Sequence, residues 1–205
     1  MRYRVAGPTL SRFRRSNAMR RIIIGSVRSG KSTQCLYEIH ERAERQAPFR
    51  GVRRSKWAVI RDTYGDLERT TLASYKMLFG RRFGHPVGRK AGIVHEIKRR
   101  LPDGTRLEYE VIFFALDHPD DMNKLLSLEL TGAYVNEART THPTIISTLD
   151  DRGGQYPSRA RGGCTWGGWW ADSNPPDDGH WIYEFAENTH PEGWDFFHQP
   201  GGVMK

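Results

Sequence analysis

The chain has 205 residues, a formal net charge of +8 and 37% hydrophobic residues. This length suits one α/β domain over residues 1–205, and the lack of a long apolar run excludes a membrane-spanning helix. Cys35 and Cys164 lie far apart, the eight histidines are scattered, and no spacing suits zinc. No apolar segment follows the basic N-terminus, so we expect no secretory signal but a soluble, cytosolic protein with reduced cysteines.

Charge is unevenly distributed along the chain. The first acidic residue is Glu38, so everything before it, including a basic N-terminal segment at residues 1–19, carries positive charge only. Acidic residues are frequent towards the end, from Asp172 to Asp195. A basic field favours nucleic acid or nucleotide phosphate as a partner, although a solvated charged surface remains the alternative.

The stretch IIIGSVRSGKSTQ, residues 22–34, has the spacing GxxxxGK[ST] between a β-branched run and a helical pattern. Glycines at 25 and 30 permit unusual backbone angles, so successive N–H groups can surround an anion at the positive end of the helix. Lys31 would reach the β- and γ-phosphates of ATP, and the Ser32 hydroxyl would bind Mg²⁺. The predicted ATP-binding loop is Gly25, Ser26, Val27, Arg28, Ser29, Gly30, Lys31, Ser32 and Thr33; the alternative is a glycine-rich turn beside a basic surface.

Strands and helices alternate after this loop. The patterns predict a strand in SKWAVIRDTY, an amphipathic helix in GDLERTTLASYKMLFGRRFG, a hairpin turning at Pro102–Gly104, and a short helix in DHPDDMNKLLSLEL. They continue with a strand in TGAYVNEA, a helix in THPTIISTLDD, a strand in CTWGGWWADSN and a helix after Pro175-Pro176. This order predicts a three-layer α/β domain with a mainly parallel central sheet flanked by helices.

A second polar site is predicted where the strand in AYVNEA ends. An ATPase needs a carboxylate near the phosphates to orient the attacking water, and Glu137 follows that strand about a hundred residues after the loop. Glu137 is therefore the candidate general base, with a helix-start carboxylate as the alternative. Asn136 stands where ATPases with an extra strand between the two motifs usually have Asp. Its uncharged oxygen would bind a metal-bound water only weakly.

Four stretches together resemble one family: PTLSRFRRSNAMRRIIIGSVRSGKSTQ, WAVIRDTYGDLERTTLASY, LLSLELTGAYVNEAR and ADSNPPDDGHW. Their order and spacing resemble the ATPase domain of tailed-phage large terminase subunits, over nearly the whole chain. The resemblance implies a P-loop NTPase fold of the ASCE type, with ATP and Mg²⁺ as cofactors, the metal being held by Ser32 and weakly by Asn136. It also implies coupling of ATP hydrolysis to translocation of double-stranded DNA into the prohead.

The resemblance assigns roles to further residues. Arg28 would contact the γ-phosphate in cis, unless it is a solvent-facing loop arginine. Arg61 with residues 63–71 would line the nucleotide or DNA side, the alternative being helix capping by Asp62 or Thr63. The coupling motif would be Asp172, Ser173 and Asn174, unless these form an Asx turn before Pro175.

Partners and missing parts follow from the same resemblance. A homo-oligomeric ring on a phage portal, a small terminase subunit and double-stranded DNA are the expected partners, in the host cell cytoplasm and without a membrane. Lys124 is the expected trans-acting cation of the ring, with Arg139, Arg159 and Arg161 as alternatives. The RNase H-like nuclease domain of large terminases is not expected in this chain, so neither is DNA cleavage.

Two other function classes remain open. A P-loop nucleotide-binding module without turnover would have the loop but no use for Glu137, and Asn136 favours this class. A helicase-type motor would need aromatic platforms for single strands. Trp166, Trp169 and Trp170 are available, although their pattern resembles a buried strand.

Overall fold

One mixed sheet of eight strands forms the centre of the computed structural model, which describes residues 4–89, 92–116 and 119–201. Its order is β3-β4-β5-β2-β6-β7-β1-β8. From β5 to β8 every neighbouring pair is parallel, whereas β4 is antiparallel to β5 and β3 to β4. The strands are β1 (Arg20–Gly25), β2 (Val52–Arg61), β3 (Val87–Arg89), β4 (Gly92–Arg100), β5 (Arg106–Ala115), β6 (Gly132–Val135), β7 (Gly168–Ser173) and β8 (Trp194–Gln199).

Helices cover both faces of the sheet. They are α1 (Gly7–Arg15), α2 (Lys31–Arg45), α3 (Tyr64–Asp66), α4 (Ala73–Phe83), α5 (Pro119–Leu126), α6 (Pro143–Arg152) and α7 (Trp181–Tyr183). A π-helical stretch, Leu67–Leu72, joins α3 to α4, and another, Glu184–Thr189, continues α7. None of the described helices is long and apolar enough to cross a lipid bilayer.

Two hydrophobic cores lie on opposite faces of the sheet. Ile23 belongs to the core that contains residues of α1, α2 and α4, whereas its neighbours Ile22 and Ile24 belong to the core that contains residues of α5 and α6. Successive side chains of a strand point to opposite faces, so β1 contributes to both cores. The three-layer arrangement predicted from the alternating elements is confirmed.

Several elements were not predicted from the sequence, among them strand β3, helix α1 and strand β8. Helix α1 lies in the segment that was described only as basic, and it buries Leu10 and Phe13 completely. Strand β8 pairs in parallel with β1 over its whole length. Phe13 of α1 and Phe197 of β8 pack edge to face with ring centroids 5.4 Å apart. Both ends of the described chain therefore meet beside the first strand.

The carboxyl ends of β6, β7 and β1 meet at one edge of the sheet. In the register of the parallel strands, Ile24 of β1 lies beside Ser173 of β7, and Val135 of β6 lies beside Ala171 of β7. At these strand ends lie the predicted ATP-binding loop after β1, Asn136-Glu137 after β6, and the predicted coupling motif, which begins within β7. In open α/β sheets ligands bind at such carboxyl ends, so the fold gathers the predicted site residues in one place.

A buried histidine beneath α4 predicts how stability depends on pH. His40 of α2 is only 5% exposed and packs against the rings of Tyr75, Phe79 and Phe83. Its Nδ1 contacts the hydroxyl of Tyr109. Burial, followed by the nearby cationic groups of His95, Arg99 and Arg82, lowers the pKa of His40 to about 3.

Acid should therefore destabilise the fold before its carboxylates titrate. Below pH about 6.5 the unfolded chain protonates His40 while the folded chain does not, so the free energy of unfolding falls by up to about 1.4 kcal/mol per pH unit as pH decreases. The contribution of His40 to the free energy of unfolding is fully present above pH about 6.5. It is lost as the pH falls towards about 3, the pKa of His40 in the folded protein. Urea unfolding between pH 7 and pH 4 measures the slope.

His40→Phe should make that slope shallower, with a remainder from His95, whose pKa burial also lowers. His190→Asn is the control, because His190 is exposed and has φ 44°, a conformation that Asn tolerates. An unchanged slope in His40→Phe would show that His40 is protonated in the folded protein.

Candidate nucleotide-binding site

The loop between β1 and α2 has the backbone of an anion-binding turn. Gly30 (φ 84°) and Arg28 (φ 63°) both have left-handed conformations, which for a residue with a side chain is strained and typical of ligand-binding loops. No side chain among the described residues caps the N-terminus of α2, and its first turn contains no acidic residue. The backbone N–H groups and the positive end of the helix are thus available to an anion.

Gly25 is required for a different reason than the sequence suggested. The prediction that it adopts an angle closed to other residues is wrong, because only Gly30 of the two has positive φ. A Cβ at Gly25 would lie 2.4 Å from the carbonyl oxygen of Gln199 in β8. The Gln199 side chain also donates a hydrogen bond to the carbonyl of Ser29, at 3.2 Å. Strand β8 therefore supports the loop from the side.

The Lys31 ammonium lies inside the loop. Its Nζ donates to the carbonyl oxygens of Gly25 and Ser26, both at 2.7 Å, and the side chain is 4% exposed. A charged donor held in this way forms strong hydrogen bonds to phosphate oxygens. The role of Lys31 towards the β- and γ-phosphates stays a prediction.

One carboxylate, that of Asp172, connects the loop to both neighbouring strands. The Ser32 hydroxyl donates a short hydrogen bond to Oδ2 of Asp172. Oδ1 accepts three: from the Tyr134 hydroxyl at 3.0 Å, from Nδ2 of Asn136 at 2.9 Å, and from the backbone N–H of Glu137 at 2.9 Å. Asp172 therefore joins the ends of β6 and β7 to the N-terminus of α2.

The two polar side-chain atoms of Asn136, Oδ1 and Nδ2, face different neighbours. Its Oδ1 accepts from the Thr71 hydroxyl at 2.5 Å and from Nη1 of Arg61 at 3.5 Å, while Nδ2 faces Asp172. Arg61 also pairs with Asp62 at 3.1 Å. The Thr63 hydroxyl accepts from the Asp66 backbone N–H at 3.2 Å, so the capping that the sequence offered as an alternative is present there.

Glu137 has the properties of a poised carboxylate. It is half-buried, its backbone is left-handed (φ 57°), and no described residue donates a hydrogen bond to its carboxylate. Burial, and secondly the charge of Asp172, raise its pKa above the usual value, against the opposing influence of Arg61, Lys31 and Arg139. A carboxylate with a raised pKa and no fixed partner is suited to take hydrogen bonds from a water molecule.

The residues present suit Mg²⁺ bound together with a nucleotide better than a metal ion whose ligands all come from the protein. The described residues contain no cluster of three or more His, Cys, Asp or Glu side chains that could hold a metal ion. Ser32 and Asp172 instead bring a hydroxyl and a carboxylate together at the loop. Mg²⁺ is usually bound by one or two protein oxygens with water and substrate phosphates completing its shell.

Several predicted residues lie outside this cluster. Lys124 on α5 is 65% exposed and pairs with Asp121 at 2.6 Å. Arg139, Arg159 and Arg161 are also exposed, as is Arg28 within the loop. Exposure suits contact with a neighbouring subunit, but their roles stay predictions.

The predicted coupling motif has an unusual end. Asp172 and Ser173 are fully buried at the end of β7, and the Ser173 hydroxyl donates to the carbonyl of Asn174 at 2.7 Å. Oδ1 of Asn174 is buried without a hydrogen-bond partner among the described residues. The alternative of an Asx turn is therefore wrong for Asn174, since that turn needs a hydrogen bond to this oxygen.

A cavity beside the loop was missed from the sequence. It has a volume of about 380 Å³ and opens next to Ser26, with Pro175, Pro176 and Tyr183 on one side and Gln199 on another. The sequence could not indicate it without β8. The aromatic segment WDFFHQ, bounded by Pro191 and Gly193 before it and by Pro200 and Gly201 after it, was the available sign of that strand.

The order of the strands defines the class of fold. Strand β7 lies between β1, which leads into the loop, and β6, which ends before Glu137. This inserted strand, together with the loop, makes the fold that of an ASCE P-loop NTPase, as predicted.

Comparisons with known proteins agree on this fold. No protein-family model matches the chain, and no curated protein sequence matches it. Among solved structures, the large terminase of a thermophilic bacteriophage is similar, with a TM-score of 0.68 at 16% identity over 93% of this chain and 43% of that one. The complex of that terminase with ATP-γ-S gives 0.65 at 15% identity, over 93% and 43%. The large terminase ATPase domain of Thermus phage P74-26 gives 0.60 at 19% identity, over 94% and 80%.

The chain therefore has the fold of phage large terminase ATPase domains. It spans less than half the length of the large terminase chains from the thermophilic bacteriophage. That terminase has been crystallised with ATP-γ-S and with ADP.

Proposed function

We propose that the chain is the ATPase motor domain of a phage terminase large subunit. The observation that carries this proposal is the Asp172 cluster, in which the phosphate loop, the end of β6 with Glu137, and the predicted coupling motif are joined by hydrogen bonds. A phosphate-binding turn needs no such link, whereas a motor must connect its phosphate site to a segment that can move. The similarity to terminase ATPase domains supports the same function.

In the proposed reaction, the loop from Gly25 to Thr33 binds the phosphates of ATP. Lys31 donates hydrogen bonds to the β- and γ-phosphates, and Arg28 reaches the γ-phosphate. Glu137 accepts a hydrogen bond from the attacking water and aligns it with the γ-phosphorus. Mg²⁺, held with the help of Ser32, would neutralise charge on the phosphates. The cavity beside Ser26 has the position and the partly apolar lining to take the nucleoside.

Coupling and partners belong to the same proposal. Loss of the γ-phosphate would be sensed at Asp172, because its carboxylate contacts Ser32 of the loop directly. Movement of residues 172–174 would be transmitted to a basic surface that grips double-stranded DNA through its phosphates, which makes the grip steeply salt-dependent. A ring on a phage portal and a small terminase subunit complete the proposed assembly.

The helicase alternative loses its main support. Trp169 and Trp170 are 1% and 0% exposed, so they are core residues and cannot stack on bases. The ring of Trp166 packs against the Arg42 guanidinium, 4.1 Å from the ring centroid. The alternative of a nucleotide-binding module without turnover keeps its support from Asn136, and a turnover measurement decides between it and the motor.

That measurement is phosphate release from ATP across a series of protein concentrations. We expect specific activity to rise with concentration, because a ring completes each site with a cation from the neighbouring subunit. Tight ATP binding with no release at any concentration, with and without double-stranded DNA, would favour the binding module.

Lys124→Ala should remove the concentration-dependent part of this activity and leave nucleotide affinity unchanged. Lys124 is exposed, and its ion pair with the buried Asp121 lies within its own helix, so its loss affects α5 and not the nucleotide-binding loop. Lys98→Ala is the matched control, because Lys98 is also an exposed lysine and lies on β4, near the β3 edge of the sheet. Equal activity in both variants would remove Lys124 as the trans-acting cation and direct the search to Arg139, Arg159 and Arg161.

A further inference from the structure

The buried carboxylate of Asp172 is surrounded by neutral donors only. Its four hydrogen-bond donors are two hydroxyls, an amide side chain and a backbone N–H. No Lys, Arg or His of residues 4–89, 92–116 and 119–201 forms an ion pair with it, although it is 0% exposed. A buried charge is normally paired or bound to a metal, so this carboxylate is suited to a cation from outside the chain.

The two oxygens of Asp172 are used unequally. Among the described residues, Oδ1 accepts three hydrogen bonds, whereas Oδ2 accepts only the one from Ser32. A carboxylate oxygen has about two lone-pair positions, so Oδ2 keeps capacity on the side of the phosphate loop. That capacity lies against the hydroxyl to which the phosphate-loop pattern assigns Mg²⁺.

Asn136 has no comparable capacity towards the loop. Its oxygen accepts from Thr71 and lies 3.5 Å from the Arg61 guanidinium, while its NH₂ group faces Asp172. An NH₂ group cannot bind a metal, and an oxygen next to a fixed guanidinium is a poor place for a second cation. Both side-chain atoms of Asn136 therefore serve to hold Asp172 and Arg61.

We propose that Asp172 on β7, rather than Asn136 on β6, is the carboxylate that holds Mg²⁺ together with Ser32 when a nucleotide is bound. The carboxylate that is usually found at the end of the strand before the general base lies here on the neighbouring strand. Nδ2 of Asn136 and Oδ1 of Asp172, which occupy these two positions, are 2.9 Å apart. The residue predicted to sense the phosphate is thus also the residue that holds the metal. This inference rests on the proposed nucleotide-binding function.

The test exchanges the two side chains. Wild type, Asp172→Asn, Asn136→Asp and the double variant Asn136→Asp/Asp172→Asn are compared for binding of a fluorescent ADP in EDTA and in Mn²⁺, which prefers the same oxygen ligands as Mg²⁺. The ratio of the two dissociation constants measures how far the metal strengthens binding, without any turnover. Asp178→Asn removes the same charge from an exposed position a few residues away and is the control.

Asp172→Asn should reduce this ratio by roughly tenfold or more. The double variant should recover it, because it returns a carboxylate to the same cluster on the other strand. A ratio that is unaffected in folded Asp172→Asn would overturn the inference, as would a wild type that binds ADP with no strengthening by metal. A wild type that binds no ADP in either condition would instead overturn the nucleotide-binding function itself.

A further variant keeps the test decisive if Asp172→Asn does not fold. Asn136→Ala removes the amide and leaves Asp172 in place, so the metal should still strengthen ADP binding to within about threefold of wild type. Loss of the metal effect in Asn136→Ala would contradict the proposal.

Discussion

Glu137→Gln should lower the rate of phosphate release by about 10²- to 10⁴-fold, the usual contribution of a positioned general base. The amide has nearly the shape of the carboxylate but cannot take a proton from the attacking water. Because the carboxylate accepts no hydrogen bond from a described residue, its replacement should leave the fold and the affinity for ATP almost unchanged. Single-turnover phosphate release at saturating ATP, beside direct measurement of ATP affinity, separates the two effects.

Glu192→Gln is the control for this experiment, since Glu192 is exposed. A Glu137→Gln protein that releases phosphate at the wild-type rate would place the general base elsewhere. A variant that loses affinity and rate together would show instead that Glu137 helps to bind the nucleotide.

The second large effect concerns stability. Glu38 of α2 is fully buried between two guanidiniums: Nη1 of Arg21 and Nε of Arg42 each lie 2.8 Å from its Oε1. Arg21 is itself 0% exposed, with Phe13 4.8 Å and Trp170 5.2 Å from its guanidinium carbon to the ring centroids. Glu38 thus supplies the negative charge that neutralises two guanidinium groups in largely apolar surroundings.

Glu38→Gln should lower the free energy of unfolding by about 3–5 kcal/mol, the usual cost of removing one partner of a buried ion pair. The neutral amide leaves two buried positive charges without a counter-charge. Urea unfolding followed by circular dichroism measures the change. Glu96→Gln breaks the exposed pair between Arg89 and Glu96 and should cost less than about 1 kcal/mol. Equal effects at the two sites would mean that water reaches the Glu38 cluster.

The parts of the site that lie close together in sequence were predictable. The phosphate loop needs only β1, a glycine and the start of α2, and the pattern GxxxxGK[ST] contains all three. Glu137 was found because a short apolar strand precedes it directly. In both cases the chemistry follows from neighbours along the chain, which periodicity and spacing describe well.

The parts that depend on contacts between distant segments were not predictable. The position of Asp172 beside Ser32 depends on β7 lying next to β1, and the sequence separation of these two residues is 140. The packing role of Gly25 depends on the pairing of β8 with β1, two strands at opposite ends of the described chain. Helix α1 was not predicted, because it buries only a few residues and its arginines obscure the apolar pattern in the sequence.

Strand β1 has consequences for the order of events during synthesis. Both strands that pair with it, β7 and β8, come from the end of the described chain, after residue 167. While the ribosome is producing the middle of the protein, β1 has no partner in the sheet, and such long-range pairings form slowly. The proposed phosphate site is therefore completed only after β7 and β8 have been synthesised, and until then the apolar residues 22–24 are an unpaired strand that is prone to aggregate.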